Sequence, residues 1–315
     1  MAVYRSVLDL IGNTPLVEVT ELSPRREVRI LAKLEGQNPC GSIKDRIALS
    51  LVEAAEADGA LKPGEPGQTV LEPSSGNTGI GLAMVCRLRG YRLQVVLPEN
   101  VSVERRQLLE IFGAEVILSP GAEGSNGAIR MAERLAKELP DVVMLNQYAN
   151  PANVAAHYRG TGPEIWRDCP EVTHLVAGLG TTGTLMGVGR YLKERNPAVR
   201  VWAVEPPSGE TVEGLRSLDE GFIPPIYDPE VLDRKIIVRP RESIEWTRRL
   251  VEQSCLFAGI SSGAAMAGAA RAAADLESGV IVVVLADGGW KYLSTGAWTD
   301  DIDTVVERAK RIIYF

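Results

Sequence analysis

Short apolar runs alternate with amphipathic stretches along most of this chain. TVLEP (69–73) precedes the helical pattern GIGLAMVCRLRG, which leads to RLQVVLP (92–98). SVERRQLLEIFG then leads to AEVILSP (114–120), and NGAIRMAERLAKEL leads to VVMLNQY. The order returns in HLVAGLG (174–180), TLMGVGRYLKERN and VRVWAVEP (199–206), and VIVVVLADGG (280–289) is a later buried strand. Such β-α-β alternation predicts parallel sheets with helices on both faces. With 315 residues, 45% of them hydrophobic, the chain can fill one large core or two medium ones. NQYANPANVAAHYRG (146–160) suits a crossing between two units. EPPSGETVEGLRSLDEGFIPPIYDPE (205–230) reads as a long loop, of the kind that often carries function.

Composition removes several functional classes. The net charge is −7 and no basic run or stripe is present, so nucleic acid is not an expected partner. No apolar stretch is long enough to span a membrane, and the first residues lack the basic-then-apolar order of a signal peptide. Cys40, Cys86, Cys169 and Cys255 are scattered without a CxxC pair, which fits a reducing cytoplasm. Only His157 and His174 are present, so a His-rich metal site is not expected and both read as structural.

The chemistry starts at NPCGSIKDR (38–46). Asn-Pro and Gly-Ser mark a turn, and a helix is expected to follow with Ser42 as its N-cap and Asp45 closing a capping box. Lys44 then sits at the positive end of that helix, on the face of Ile47 and Ala48. Both surroundings favour a neutral, nucleophilic amine. A snorkelling or ion-paired lysine is the plainer alternative from this stretch alone.

Two Gly-rich turns, SSGNTG (74–79) and GLGTTGT (178–184), each join a strand to a helix, where free N–H groups bind anions. GLGTTG also fits GxGxxG, and Glu205 follows at the distance of a ribose-binding acid, so a nicotinamide-dependent oxidoreductase is a rival reading. Thr181, Thr182 and Thr184 argue against it, because several hydroxyls suit a terminal phosphate better than a pyrophosphate. GISSG (259–263) fits a nucleophile elbow, but both histidines precede it, whereas that fold needs one after. A reactive amine beside a phosphate cradle, with no catalytic histidine or metal cluster, points to pyridoxal 5′-phosphate held by lysine as a Schiff base.

NPCGSIKDR, LEPSSGNTG, GLGTTGT and GISSGA, in this order and spacing, resemble the cysteine synthase family of fold-type II pyridoxal-phosphate enzymes. The resemblance runs from IGNTPLV (11–17) to KYLSTG (291–296), and HYRGTGPEIW with GWKYLSTGAW is similar to the B branch. It implies an α/β fold of two open, mostly parallel twisted sheets flanked by helices, with the cofactor in an interdomain cleft. The smaller, mobile domain is expected over 40–145 and the larger over 1–39 plus 146–315. Lys44 matches the Schiff-base lysine and Asn77 the residue that bonds the ring hydroxyl. Gly180, Thr181, Thr182, Gly183 and Thr184 match the phosphate loop, and Ser261 matches the serine facing the pyridine nitrogen. Ser74, Ser75, Gly76 and Thr78 match the loop that clasps the substrate carboxylate, with Gln147 as a second contact. Ser74 stands where many members carry threonine.

The implied reaction replaces the β substituent of an activated serine by a sulfur nucleophile, through an aminoacrylate, to give L-cysteine. O-phosphoserine and O-acetylserine both remain open as acceptors. A phosphate leaving group needs a cation, and Arg216 resembles the phosphate-recognising arginine of some B-branch members; a solvated loop charge is the alternative. Sulfide, thiosulfate and a thiocarboxylated carrier protein are open as donors, and the resemblance implies a homodimer. Cystathionine β-synthase chemistry on the same fold, and a scaffold role in a complex, are the other readings. The tail VVERAKRIIYF is read as either a cover for the site or a surface helix end.

Overall fold

The computed structural model describes residues 3–74, 76–139 and 141–309. Ten strands and ten α-helices alternate among the described residues. They begin with β1 (Leu16–Glu18), β2 (Val28–Leu34) and α1 (Lys44–Ala57). Next come β3 (Thr69–Pro73), α2 (Asn77–Arg89), β4 (Arg92–Pro98), α3 (Val103–Ile111), β5 (Glu115–Ser119), α4 (Gly124–Glu138) and β6 (Val142–Met144). Then follow α5 (Pro151–Ala156), α6 (Gly162–Asp168), β7 (His174–Gly178), α7 (Gly183–Arg195), β8 (Arg200–Glu205) and β9 (Arg234–Ile237). The chain continues through α8 (Pro240–Ser254), α9 (Ile260–Asp275), β10 (Gly279–Leu285) and α10 (Ile302–Ala309).

The strands form two sheets. One has the order β1-β2-β10-β7-β8-β9 and is parallel except for β1 against β2. The other, β5-β4-β3-β6, is parallel throughout. β10 pairs on both edges and is covered on both faces, which is why it is a continuous Val/Ile run rather than an alternating one. Ile281, Val282 and Val283 are fully buried, each worth roughly 1.5–3 kcal/mol of transfer free energy. α9 is a run of alanines and glycines buried almost all round, and its small side chains let it pack into the core beside Val176, Val204 and Ile281.

The stretch expected as a crossing between two units carries α5 and most of a π-helical turn (His157–Thr161), which leads into α6. Asn150 caps α5 by accepting from the Ala152 N–H, and Pro151 falls in the first turn, where a proline costs no hydrogen bond; Pro163 follows directly on the π-helical turn. The loop expected after β8 is present and carries only two short 3-10 turns before β9. No helix among the described residues is long and apolar enough to cross a membrane.

Candidate active site

The turn that carries Lys44 is stitched to the end of β10. Ile43 N–H donates to Ala286 O at 2.8 Å and Gly288 N–H donates to Gly41 O at 3.1 Å. Gly41 has φ +73°, and a Cβ there would stand 2.9 Å from the Trp290 ring, so the turn needs glycine on both counts. The expected capping box does not form. Helix α1 starts at Lys44 with Ile43 as boundary residue, and Ser42 Oγ accepts from the Lys44 N–H at 3.2 Å. Asp45 accepts instead from the Cys40 N–H at 2.6 Å and, through its other oxygen, from the Ser42 hydroxyl at 3.4 Å, because the turn folds back over the helix end and brings that buried donor within its reach.

A buried ion cluster fixes the same helix from its other side. The Arg46 guanidinium forks onto Glu35 (2.7 and 2.9 Å) and Glu164 (both bonds 2.7 Å), and Lys33 reaches Glu164 at 2.7 Å. These bonds tie α1 to β2, α6 and the segment of Thr14, and they hold the Glu164 carboxyl down at about 2 despite its burial. Charges this well paired are stable inside a protein; breaking such a set is costly.

Four helices aim their N-termini at one cleft: α1 with Lys44, α2 with Asn77, α7 with Gly183 and α9 with Ser261. Each contributes a partial positive charge, which favours anions in the cleft, although Ser42 and Ser74 take up some of the N–H groups of α1 and α2. Burial pushes the Lys44 amine below the usual lysine range, and nearby Lys291 adds to this. The side chain nevertheless keeps some contact with the open cleft.

The cleft has two adjoining hollows. One brings together Lys44, Ser74, Gly76, Asn77, Thr78 and Gln147, with Gly180, Thr181 and Ser261 shared with the other. The second continues from Lys44 to Thr182 and Thr184. Gly183 opens α7 behind this loop; a Cβ there would meet Asn153 Oδ1 at 1.9 Å. Asn153 in turn donates to Gln147 O and Thr181 Oγ1, both at 2.9 Å, so one buried amide links the two hollows. Thr182 has φ +72°, an uncommon conformation for a β-branched residue, and its Oγ1 is buried without a partner among the described residues. A loop of strained backbone, an uncommitted hydroxyl and a helix N-terminus fits a phosphate, and the adjacent amine fits an aldehyde. The residues present therefore fit pyridoxal phosphate. Ser75 lies outside the described residues.

Ser74 Oγ accepts from the N–H groups of Gly76 (3.3 Å) and Gly79 (3.1 Å), which shapes the α2 entrance. Thr78 Oγ1 donates to Gln147 Oε1 at 2.6 Å. Gln147 itself is set by Glu72, a fully buried carboxyl that accepts from the Asn146 N–H at 2.8 Å and the Gln147 N–H at 3.0 Å. Both histidines are hydrogen-bonded to threonine hydroxyls, His174 to that of Thr173 at 2.9 Å. His157 lies between the hydroxyls of Thr161 (3.0 Å) and Thr184 (3.3 Å), and burial, with the charges of Arg46 and Lys44, holds its ring well below the usual histidine range.

Arg216 does not line either hollow. It is buried one layer back, with its guanidinium 4.6 Å from the Phe222 ring centroid and 5.5 Å from that of Tyr148. Tyr148 does line the cleft. The arginine that faces the cleft is Arg105 of α3, ion-paired to Glu213 of the loop after β8 and 5.1 Å from the Tyr292 ring centroid. Sequence reasoning missed Arg105, Tyr148, Tyr292 and Glu72, and it missed Asp287 and Lys291 beside Asn77. Glu205, the acid of the oxidoreductase rival, faces away: it accepts from the Leu218 N–H at 3.1 Å and pairs with Lys235 at 2.8 Å.

The chain belongs to the family of pyridoxal-phosphate dependent enzymes, whose model matches residues 7–287. That overturns the nicotinamide reading of GLGTTG. Similar members of the family include cysteine synthases. Cysteine synthase B of Pseudomonas aeruginosa is 42% identical over 94% of this chain and 98% of its own length. Cysteine synthase B of Escherichia coli is 39% identical over 92% of this chain and 95% of its own. Among solved structures, cysteine synthase from Entamoeba histolytica superposes with a TM-score of 0.88 at 35% identity, covering 98% of this chain and 96% of that one. O-ureido-L-serine synthase gives 0.88 at 39% identity, covering 94% and 96%. The chain is thus a member of the cysteine synthase family with the fold-type II architecture.

Proposed function

We propose that the chain makes L-cysteine from an activated serine and a sulfur nucleophile, with Lys44 as its catalytic residue. The observation that carries this is the Lys44 amine, pushed below its usual range, at the meeting point of four helix N-termini. Bound pyridoxal phosphate supplies the electron withdrawal that loosens the Cα proton and the β substituent of the amino acid. The loop of 180–184 holds the phosphate, Asn77 bonds the ring hydroxyl and Ser261 faces the ring nitrogen. A hydroxyl there cannot stabilise a protonated ring as a carboxylate would, which favours departure of the β substituent. Ser74, Ser75, Gly76, Thr78 and Gln147 hold the substrate carboxylate. Lys44 takes the Cα proton and returns it after sulfur has added at Cβ.

The acceptor is O-phosphoserine or O-acetylserine. O-phosphoserine needs Arg216 to act past or beside Tyr148, the cleft-lining ring it packs against. O-acetylserine needs no such cation, and an O-acetyl serine sulfhydrylase of Entamoeba histolytica is 36% identical to this chain. The donor is sulfide, thiosulfate or a thiocarboxylated carrier protein. A cytoplasmic homodimer and closure of a mobile 40–145 unit complete the reading. Arg105–Glu213, Asn77–Asp287 and Glu104–Ser294 are contacts that would join that unit to the rest.

The test is the absorption spectrum of the purified protein before and after each acceptor is added without a sulfur donor. A visible band that borohydride fixes onto Lys44, and that either acceptor converts, is the expected result. A protein that pyridoxal phosphate cannot colour overturns it. Arg216→Ala is expected to lower kcat/KM for O-phosphoserine at least tenfold more than for O-acetylserine; an equal effect on both removes the phosphate contact.

A further inference from the structure

A carboxamide is asymmetric: one end accepts hydrogen bonds, the other donates two. Which end faces a ligand is decided by what holds the rest of the group. Asn77 lines the cleft at the first residue of α2, and both ends of its amide are engaged from behind. Lys291 Nζ donates to Asn77 Oδ1 at 2.6 Å, and Asn77 Nδ2 donates to Asp287 Oδ2 at 2.7 Å. The same Asp287 oxygen also accepts from the Tyr292 hydroxyl. A flipped Asn77 would set oxygen against carboxylate, losing the Asp287 bond whatever the state of Lys291, and N–H against amine, losing the second bond when Lys291 is an ammonium. One N–H of Asn77 is left over. Lys291 is fully buried, and its amine also donates to Gly41 O at 3.1 Å, in the turn that carries Lys44.

We propose that Lys291 is a positioning residue which, together with Asp287, fixes the orientation of the Asn77 amide and locks it to the Lys44 turn, so that an N–H and never the carbonyl oxygen meets the cofactor's ring hydroxyl. This rests on the assignment of Asn77 to that hydroxyl made above. Lys291 touches neither substrate nor cofactor in this account; it acts through Asn77. A neutral amine has two N–H groups and an ammonium three, so either form can satisfy the two acceptors seen. Burial lowers the affinity of this amine for its proton, with Asp287 and Asp45 opposing that.

The experiment is a double-mutant cycle between Lys291→Met and Asn77→Ala. It reads the dissociation constant of pyridoxal phosphate and the share of the long-wavelength absorption band of the bound cofactor, which the ring hydroxyl's hydrogen bonding sets. Lys291→Met is expected to weaken cofactor binding about tenfold and deplete that band. Lys291→Arg, which can still donate to both acceptors, is expected to restore most of it. In an Asn77→Ala background, Lys291→Met should add less than about twofold. A folded Lys291→Met protein with an unchanged band, or an effect that is fully additive with Asn77→Ala, overturns the proposal. If Asn77→Ala alone changes neither readout, the assignment of Asn77 falls and takes the proposal with it, a result distinct from the other two. Should Lys291→Met not fold, Asp287→Asn in the same cycle decides, with additivity again the overturning outcome.

Discussion

Glu72 offers the sharpest test of the physical account, because one buried carboxyl is asked to set a substrate contact. It is the penultimate residue of β3 and has no solvent exposure, and burial raises it from 4.5 to about 7 even though two backbone N–H groups bond to it. An acid whose folded value is raised holds its proton more tightly in the native state. Its contribution to stability is therefore complete below pH 4.5 and is lost as pH rises through about 7. The distance from 4.5 to about 7, at 1.36 kcal/mol per pH unit, makes that loss about 3 kcal/mol. Glu72→Gln resembles the protonated form and carries no charge to desolvate. It should start below the parent at pH 5, where one buried N–H loses its acceptor, and gain on it by about 3 kcal/mol as pH rises to 8.5, a shift on the order of 5 °C in melting temperature. The assay is thermal melting of both proteins, saturated with pyridoxal phosphate, across that range. Asp45, which burial raises to about 6, titrates in both proteins and drops out of the difference. Parallel melting curves would refute the reasoning. The variant should also raise KM for the amino-acid substrate above pH 7, since an amide can accept from only one of the two N–H groups that hold Asn146 and Gln147.

Other perturbations probe the remaining supports. Gly183→Ala must displace Asn153 and with it the bond to Thr181, so cofactor affinity should fall at least about tenfold with the fold retained; titration with pyridoxal phosphate checks this. Glu164→Gln leaves Lys33 and Arg46 short of a buried partner and should destabilise the protein by about 3–5 kcal/mol, read from urea midpoints. Of the four cysteines, Cys255 alone is exposed, while burial pushes the thiols of Cys40 and Cys86 up to about 12. One thiol per native chain should therefore react quickly with a disulfide reagent and four after unfolding; fast modification of Cys40 would contradict the packing at the catalytic turn.

What the sequence made legible follows from range of interaction. TVLEP and RLQVVLP are β3 and β4 to the residue, since a strand between Gly- and Pro-containing turns is marked locally on both sides. The two Gly-rich turns between strand and helix were legible for the same reason: a strand, small residues and a helix start are contiguous in the chain. α5 and α6 were hidden, because Asn150, Pro151 and Pro163 look like loop punctuation until Asn150 and Pro151 are seen to open α5 and Pro163 to follow the π-helical turn. Arg105, Glu72, Asp287 and Lys291 left no local signal at all. Arg105 looks like one of several charges on a surface helix, yet it is buried, because the loop after β8 brings Glu213 to it from more than a hundred residues away.

The boundary between the two groups is chemical. The residues proposed to meet ligand sit on motifs, because a helix N-terminus and a glycine turn are local constructions that bind anions wherever they occur. The residues that aim them are distant in sequence and bring charge. Asn77 is held by Asp287 and Lys291 in the segment after β10, Gln147 by Glu72 near the end of β3, and Lys44's helix by Glu35 and Glu164. Each of these supports spends a buried polar group to remove one degree of freedom from a group in the cleft. Buried charge costs stability unless it is paired, so a cleft surrounded by paired carboxylates and cations is evidence of orientation at work. On that argument the residues whose loss alters the cofactor's spectrum, and not only the melting temperature, are those bonded directly to Asn77, Gln147 and the 180–184 loop.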